Sequence, residues 1–222
     1  MFDIDEYLSS EIRECRNAFG ERLLYIGLQG SYMRGEATDR SDIDVMIILD
    51  DFSVADMDAY REILVRIGNY ERSCGFICGR DEILRWSPLE ACQLRYTTKD
   101  LFGRLKDYLP SATREDGINY VKMSLGDVYH ILCHRYIHGD RTNSAAVLRG
   151  TGKKLFFLIQ NLHFLESGSF AVTKRALREQ VSEADRAVLD MALLPDYADP
   201  DAAFRTVFDW CQKAFIRVGL LQ

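Results

Sequence analysis

Residues 30–44 read GSYMRGEATDRSDID and lie between two apolar runs, Leu23–Leu28 (LLYIGL) and Ile43–Leu49 (IDVMIIL). The simplest reading is a strand, a tight turn at Gly30-Ser31 that opens a helix, a polar loop over 35–41, and a second strand. Side chains alternate along a strand, so Asp42 and Asp44, two residues apart, send both carboxylates to one face. Two like charges at the head of an apolar strand call for a cation or a positive partner.

Outward from this stretch the pattern alternates. Ile4, Leu8, Ile12, Cys15 and Phe19 recur at helical spacing and predict a helix over 3–19, ended by Gly20. A second helix is expected over 54–67 from Met57, Tyr60, Ile63, Leu64 and Ile67. A short strand follows at 74–78, then a helical turn at 81–86 and a helix that Pro88 opens and that runs to about Tyr96. Residues 100–108 stay open, with Leu101-Phe102 as a candidate strand. This part is α+β, a small mixed sheet with helices. Pro110 and the polar run SATREDG (111–117) mark an expected boundary, giving domains 1–110 and 111–222. Beyond it strand signals vanish. Helices are expected at 118–138, 144–166, 173–181, 183–193 and 200–218, with Gly150 and Gly152 bending or dividing the second, and together they read as a helical bundle.

The chain has 222 residues and a formal net charge of -6. Residues 1–105 hold 13 Lys/Arg against 20 Asp/Glu, and residues 106–222 hold 15 against 14. The acidic first part fits a metal site or a cationic substrate and argues against duplex nucleic acid. Six cysteines, at 15, 74, 78, 92, 133 and 211, form no paired framework and read as core thiols in a reducing cytosol. The acidic start MFDIDEYLSSEIREC lacks the basic and apolar regions of a signal peptide, and no run is long enough to span a membrane. A cytoplasmic protein is expected; the oligomeric state stays open.

Nucleotidyl transfer needs a divalent metal held against a triphosphate, a grip on the outer phosphates, and a positioned hydroxyl. Asp42 and Asp44 offer hard oxygen ligands for Mg2+. Gly30 and Ser31 offer backbone N–H groups and a hydroxyl to phosphate oxygens. Arg34 or Arg40 could offset phosphate charge, although Arg34 could instead pair with Asp39, Asp42 or Glu36. Ser41 either touches the site or caps the loop. Lys153 and Lys154 follow the glycines of the long helix, and Lys154 is a candidate for the nucleotide cleft. No Gly-Lys-Ser/Thr of a P-loop is present.

Gly30-Ser31, Arg34-Gly35 and Ser41-Asp42-Ile43-Asp44, in this order and spacing, resemble the signature of the polymerase-beta-like nucleotidyltransferase superfamily. The version here is similar to the small bacterial group of antibiotic and minimal nucleotidyltransferases. The resemblance implies a mixed sheet with flanking helices and a magnesium-bound NTP, ATP being the expected one. It also implies transfer of a nucleoside monophosphate to an acceptor hydroxyl. It maps the metal ligands onto Asp42 and Asp44 and the phosphate grip onto Gly30 and Ser31, with the helical half helping to choose the acceptor. The family usually adds a third carboxylate on a neighbouring strand. Here that strand, Ser73–Cys78, holds no acid. Asp81 and Glu82 just after it are the expected substitutes, with Glu90 and Asp100 behind them. His130, His134 and His138 share one helical face and are expected at a polar lining or core edge.

The leading expectation is therefore a nucleotidyltransferase acting on a small, cationic molecule such as an aminoglycoside-like or lincosamide-like compound. The alternatives are transfer to protein or tRNA, and a nucleotide-binding relative that transfers weakly or not at all.

Overall fold

A computed structural model describes residues 2–139, 144–193 and 197–221. The chain divides into two compact units, Met1–Ser111 and Ala112–Gln222.

The first unit begins with α1 (Ile4–Phe19), followed by β1 (Leu23–Leu28), the short α2 (Gly30–Met33) and β2 (Ile43–Leu49). Next come α3 (Val54–Ile67), β3 (Ser73–Gly79), α4 (Arg80–Leu84), α5 (Pro88–Thr97) and β4 (Lys99–Phe102). The sheet order is β3-β2-β1-β4. β1 runs antiparallel to both β2 and β4, while β2 and β3 are parallel and joined through α3. The sheet is thus mixed, as the sequence suggests, and the open segment 100–108 resolves into edge strand β4.

Alternation along β2 explains the layers. Ile43, Val45, Ile47 and Leu49 point to one face and pack with Ile26 and Leu28 against Leu8, Cys15 and Phe19 of α1 and Ile63 of α3. Met46 and Ile48 point to the other and pack with Tyr25 and Cys78 under Ile83 of α4 and Ala91 of α5. Each fully buried aliphatic side chain contributes roughly 2 kcal/mol of transfer free energy, so a strand buried on both sides is a firm base for a site at its end. Local signals fix the helix starts. Asp3 Oδ1 accepts the amides of Asp5 and Glu6, and Ser53 with Asp56 forms a capping box for α3. The Arg22 guanidinium beside Asp56, at 2.7 Å, holds that carboxyl down at about 2 and ties the start of α3 to the edge of β1.

The second unit contains α6 (Arg114–His138), α7 (Ser144–Ser167), α8 (Lys174–Gln180), α9 (Glu183–Leu193) and α10 (Pro200–Gly219). Val121, Leu125, Val128 and Leu132 of α6 meet Leu148, Leu155, Leu158 and Leu162 of α7, and Val207 and Ala214 of α10 complete the core. Gly150 and Gly152 do not divide α7, which is one helix over 144–167. A Cβ on Gly152 would stand 2.6 Å from the carbonyl oxygen of Ala192, so this glycine admits α9 close to α7 instead. Asp185 is buried at the start of α9. It accepts hydrogen bonds from the Trp210 indole at 2.7 Å, the Ser182 hydroxyl at 2.7 Å and the Arg217 guanidinium at 2.6 and 3.0 Å. Burial pushes its carboxyl up, and these donors outweigh burial and hold it below its ordinary value.

Glu11 is the counter-example, a buried acid with one partner. Its Oε1 accepts the Tyr60 hydroxyl at 2.6 Å, while Oε2 has no partner. Burial raises the carboxyl from 4.5 to about 7. A folded-state value above the unfolded one favours the native state at low pH, and that advantage is lost as pH rises through about 7. Glu11→Gln should therefore gain more over wild type at pH 8 than at pH 5, by about 2 kcal/mol. Urea melts of both proteins at the two pH values check this, and a gain that is equal at both would reject it.

Candidate active site

The site is built at the N-terminal end of β2. Asp42 immediately precedes the strand and is exposed; Asp44 is its second residue and is partly buried. By alternation Asp44 shares the face of Met46 and Ile48. The turn after β1 closes directly over it. Gly30 has φ 65, and a Cβ there would stand 1.8 Å from Asp44 Oδ2. The backbone at the start of α2 therefore lies against the carboxylate, at a distance no side chain permits. The Gln29 amide donates to the Asp44 carbonyl oxygen at 2.8 Å and locks turn and strand together. The Gln29 side chain donates to Thr98 Oγ1 at 2.9 Å, anchoring the same turn to the approach to β4. Ser31 is partly exposed, and among the described residues its hydroxyl forms no hydrogen bond.

The loop between turn and strand is held from within. Ser41 Oγ accepts the Thr38 amide at 2.9 Å and the Ser41 amide donates to the Thr38 carbonyl at 3.0 Å, so Ser41 closes the loop. Of its two expected roles, capping is the one its contacts display. Arg34 Nε donates to Glu36 at 2.9 Å, one of the ion pairs named as its alternative. Arg40 is exposed. Lys154 belongs to α7 of the second unit, where its ammonium pairs with Asp127 of α6.

The structure does not bring Asp81 and Glu82 to this end of the sheet, whereas Asp100 of β4 pairs with Gly27, which pairs in turn with Met46, two residues from Asp44. β3 pairs Cys74 with Asp44 and Gly79 with Leu49, so Asp81 and Glu82 follow the opposite end of the strand. At roughly 3.3 Å per residue, the six steps from Cys74 to Arg80 cover about 20 Å. Asp81 is exposed and pairs with Arg85 at 3.1 Å. Glu90 accepts the Trp86 indole at 2.6 Å, and Asp100 accepts the Tyr25 hydroxyl at 2.8 Å and the Leu105 amide at 3.2 Å. What stands beside Asp44 is Cys74. It is exposed and pairs with Asp44 in the ladder. Desolvation and the adjacent Asp44 and Asp42 charges hold its thiol above its ordinary value. The expectation of core thiols holds for Cys15, Cys78 and Cys211 and fails for Cys74, because β3 is the edge strand.

A second residue absent from the sequence reading is Arg72, whose guanidinium donates to the Ser41 carbonyl oxygen and to the Tyr32 hydroxyl. No local motif marks either residue; only the register of β3 on β2 would have. The histidines are also displaced from expectation. His130, His134 and His138 form an exposed ladder on α6, with ring centroids 5.8 and 5.0 Å apart, rather than a lining or core edge. Among the described residues no group of three or more His, Cys, Asp or Glu side chains is arranged to hold a metal ion. No described helix is long and apolar enough to cross a membrane.

A family model described as nucleotidyltransferase domain matches residues 11–78, which span α1 to β3. The Gly30 turn and both aspartates lie inside the matched residues. Among solved structures, the chain is similar to spectinomycin adenyltransferase from Enterococcus faecialis, crystallised with ATP and spectinomycin. The TM-score is 0.60 at 12% identity, over 98% of this chain and 100% of that one. A toxin-antitoxin structure with AMP-PNP matches at a TM-score of 0.34 and 21% identity, over 60% of this chain and 93% of that one. No curated protein sequence matches the chain.

Gly30→Ala tests the close approach. It adds a methyl group where Asp44 Oδ2 stands, at a positive φ. The expected result is a stability loss of about 2 kcal/mol or more, read in urea melts, with a displaced turn in a crystal structure. Wild-type stability in the variant would show that the turn can move off Asp44.

Proposed function

We propose that the protein is a magnesium-dependent nucleotidyltransferase that moves the AMP of ATP onto a hydroxyl of a small, cationic acceptor. The observation that carries this is the seating of the Gly30 turn on the Asp44 carboxylate. It puts free backbone donors and a free serine hydroxyl next to a carboxylate pair, which is what a metal-bound triphosphate requires. The donor set fits magnesium, which commonly uses one or two carboxylates and takes its remaining ligands from water and phosphate. Asp42 and Asp44 would hold the ion, and bound there it would offset charge on the triphosphate and on the leaving pyrophosphate.

The chain's own groups then have separate tasks. Gly30 and Ser31 bind outer phosphate oxygens and orient the triphosphate. The acceptor oxygen attacks the α-phosphorus, the bond to the β-phosphate breaks, and pyrophosphate leaves with the bonding pair. The acceptor proton goes to solvent or to a carboxylate, and Asp100 is the further acid that the strand register brings to this end of the sheet. The acidic balance of residues 1–105 favours a cationic acceptor. The fold shared with an adenyltransferase that binds ATP and spectinomycin agrees with this reading. That the β3 residue paired with Asp44 is Cys74 and not an acid favours a second reading, a nucleotide-binding relative with slow or no transfer.

Radiolabelled ATP, magnesium and a panel of aminocyclitol and aminoglycoside acceptors should yield pyrophosphate in an acceptor-dependent way. Asp42→Asn and Asp44→Asn should each reduce that release by about a thousandfold or more. Tight MgATP binding without pyrophosphate from any acceptor selects the second reading. Metal-dependent binding that survives both substitutions together removes the site assignment itself.

A further inference from the structure

Arg72 stands one residue before β3, where the ladder pairs Ser73 with Ile43, so in register it lies across from Asp42. Its Nε and Nη2 both donate to the Ser41 carbonyl oxygen, at 3.3 and 3.1 Å. Nη2 also donates to the Tyr32 hydroxyl. The guanidinium plane lies over the Phe2 ring, 4.4 Å from its centroid, and Phe2 in turn meets Tyr32 edge-on at 6.1 Å. Among the described residues Arg72 forms no ion pair, whereas Arg34 is engaged by Glu36.

The two groups that Arg72 joins belong to the two halves of the site. Tyr32 is the third residue of α2, whose first two residues are Gly30 and Ser31. The Ser41 carbonyl belongs to the peptide that leads into Asp42. Between them the chain makes an excursion through 34–40 that carries short turn bonds and the Arg34–Glu36 ion pair. A planar fork that holds both ends sets the distance across this excursion; a flexible ammonium does not. We propose that Arg72 is a positioning residue of the nucleotide site. Its guanidinium fixes the spacing between the phosphate-binding turn and the carboxylate Asp42, and Phe2 holds the guanidinium in plane. This rests on the function proposed above. The unpaired positive charge also lies where it lowers the energy of a bound polyanion, but the fork geometry, not the charge, is the element assigned here.

Three full-length variants separate fork from charge. Arg72→Lys keeps the charge, Arg72→Gln removes it, and Tyr32→Phe removes one acceptor while leaving Arg72 in place. Hydrogen exchange of the nucleotide-free protein is the first measurement. Amides over 30–42 should exchange about tenfold faster or more in both Arg72 variants and about threefold faster in Tyr32→Phe, with the β1 and β2 cores still protected. MgATP titration calorimetry is the second. Both Arg72 variants should bind at least about tenfold more weakly than wild type, with no rescue by lysine. Wild-type affinity in Arg72→Lys would overturn the proposal in favour of charge alone, and unchanged exchange over 30–42 would overturn it outright. A wild-type protein that binds no MgATP is a different result, which rejects the nucleotide reading before any variant is compared.

Discussion

The first unit depends on one close approach, the backbone of Gly30 laid against the carboxylate of Asp44. A Cβ at residue 30 would overlap Asp44 Oδ2 at 1.8 Å, so turn and strand can meet this way only with glycine. The Gln29 amide, bonded to the carbonyl of the same aspartate, makes the contact two-sided. The helix that follows has four residues, too few for an appreciable macrodipole. Individual N–H groups held at fixed positions beside a negative charge are what the geometry provides. An isolated arrangement of that kind would be open to water and mobile. Here β2 anchors it, because Val45 through Leu49 are buried on both faces of the sheet.

The same sheet decides what cannot enter the site. In a parallel β2–β3 pair both strands begin at one end, so residues after β3 are delivered to the far end. Asp81 and Glu82 follow β3 in sequence and are far from Asp44 for that reason. The residue that register delivers from β3 is Cys74. β4, on the other side of β1, brings Asp100 to the same end of the sheet, opposite Gly27, where its Oδ1 accepts from Tyr25 and Leu105.

Local signals made most of the first unit legible in the sequence. Alternation in β1 and β2, the glycine-serine turn, Pro88 at a helix start and the helical period of α1 and α3 each act within about one turn or one strand. The bundle helices were readable for the same reason. What sequence did not show depends on partners distant in the chain. Gly152 looked like a helix breaker because its reason for being glycine, the Ala192 carbonyl, lies on α9. Nothing local marks Arg72, because Tyr32 and Ser41 come to it only when β3 docks on β2. Arg34 looked available for phosphate because the pattern alone could not say that Glu36 would take it. The glycine-serine turn and the aspartate pair lie within one contiguous stretch, and so the core of the candidate site was visible when its surroundings were not.

On the proposed function, the strand register also bears on where the acceptor proton goes. A third carboxylate could accept the acceptor proton as the new bond forms, help worth roughly 10²–10⁴ in rate. β3 offers no such acid beside Asp44, where Cys74 stands, and the acid that the register brings to this end is Asp100 of β4. Positioning and electrostatic stabilisation of the triphosphate would be the other means of acceleration. On the proposed function those means would depend on the spacing between turn and strand, on which the backbone contact at Gly30 and the guanidinium at Arg72 both bear.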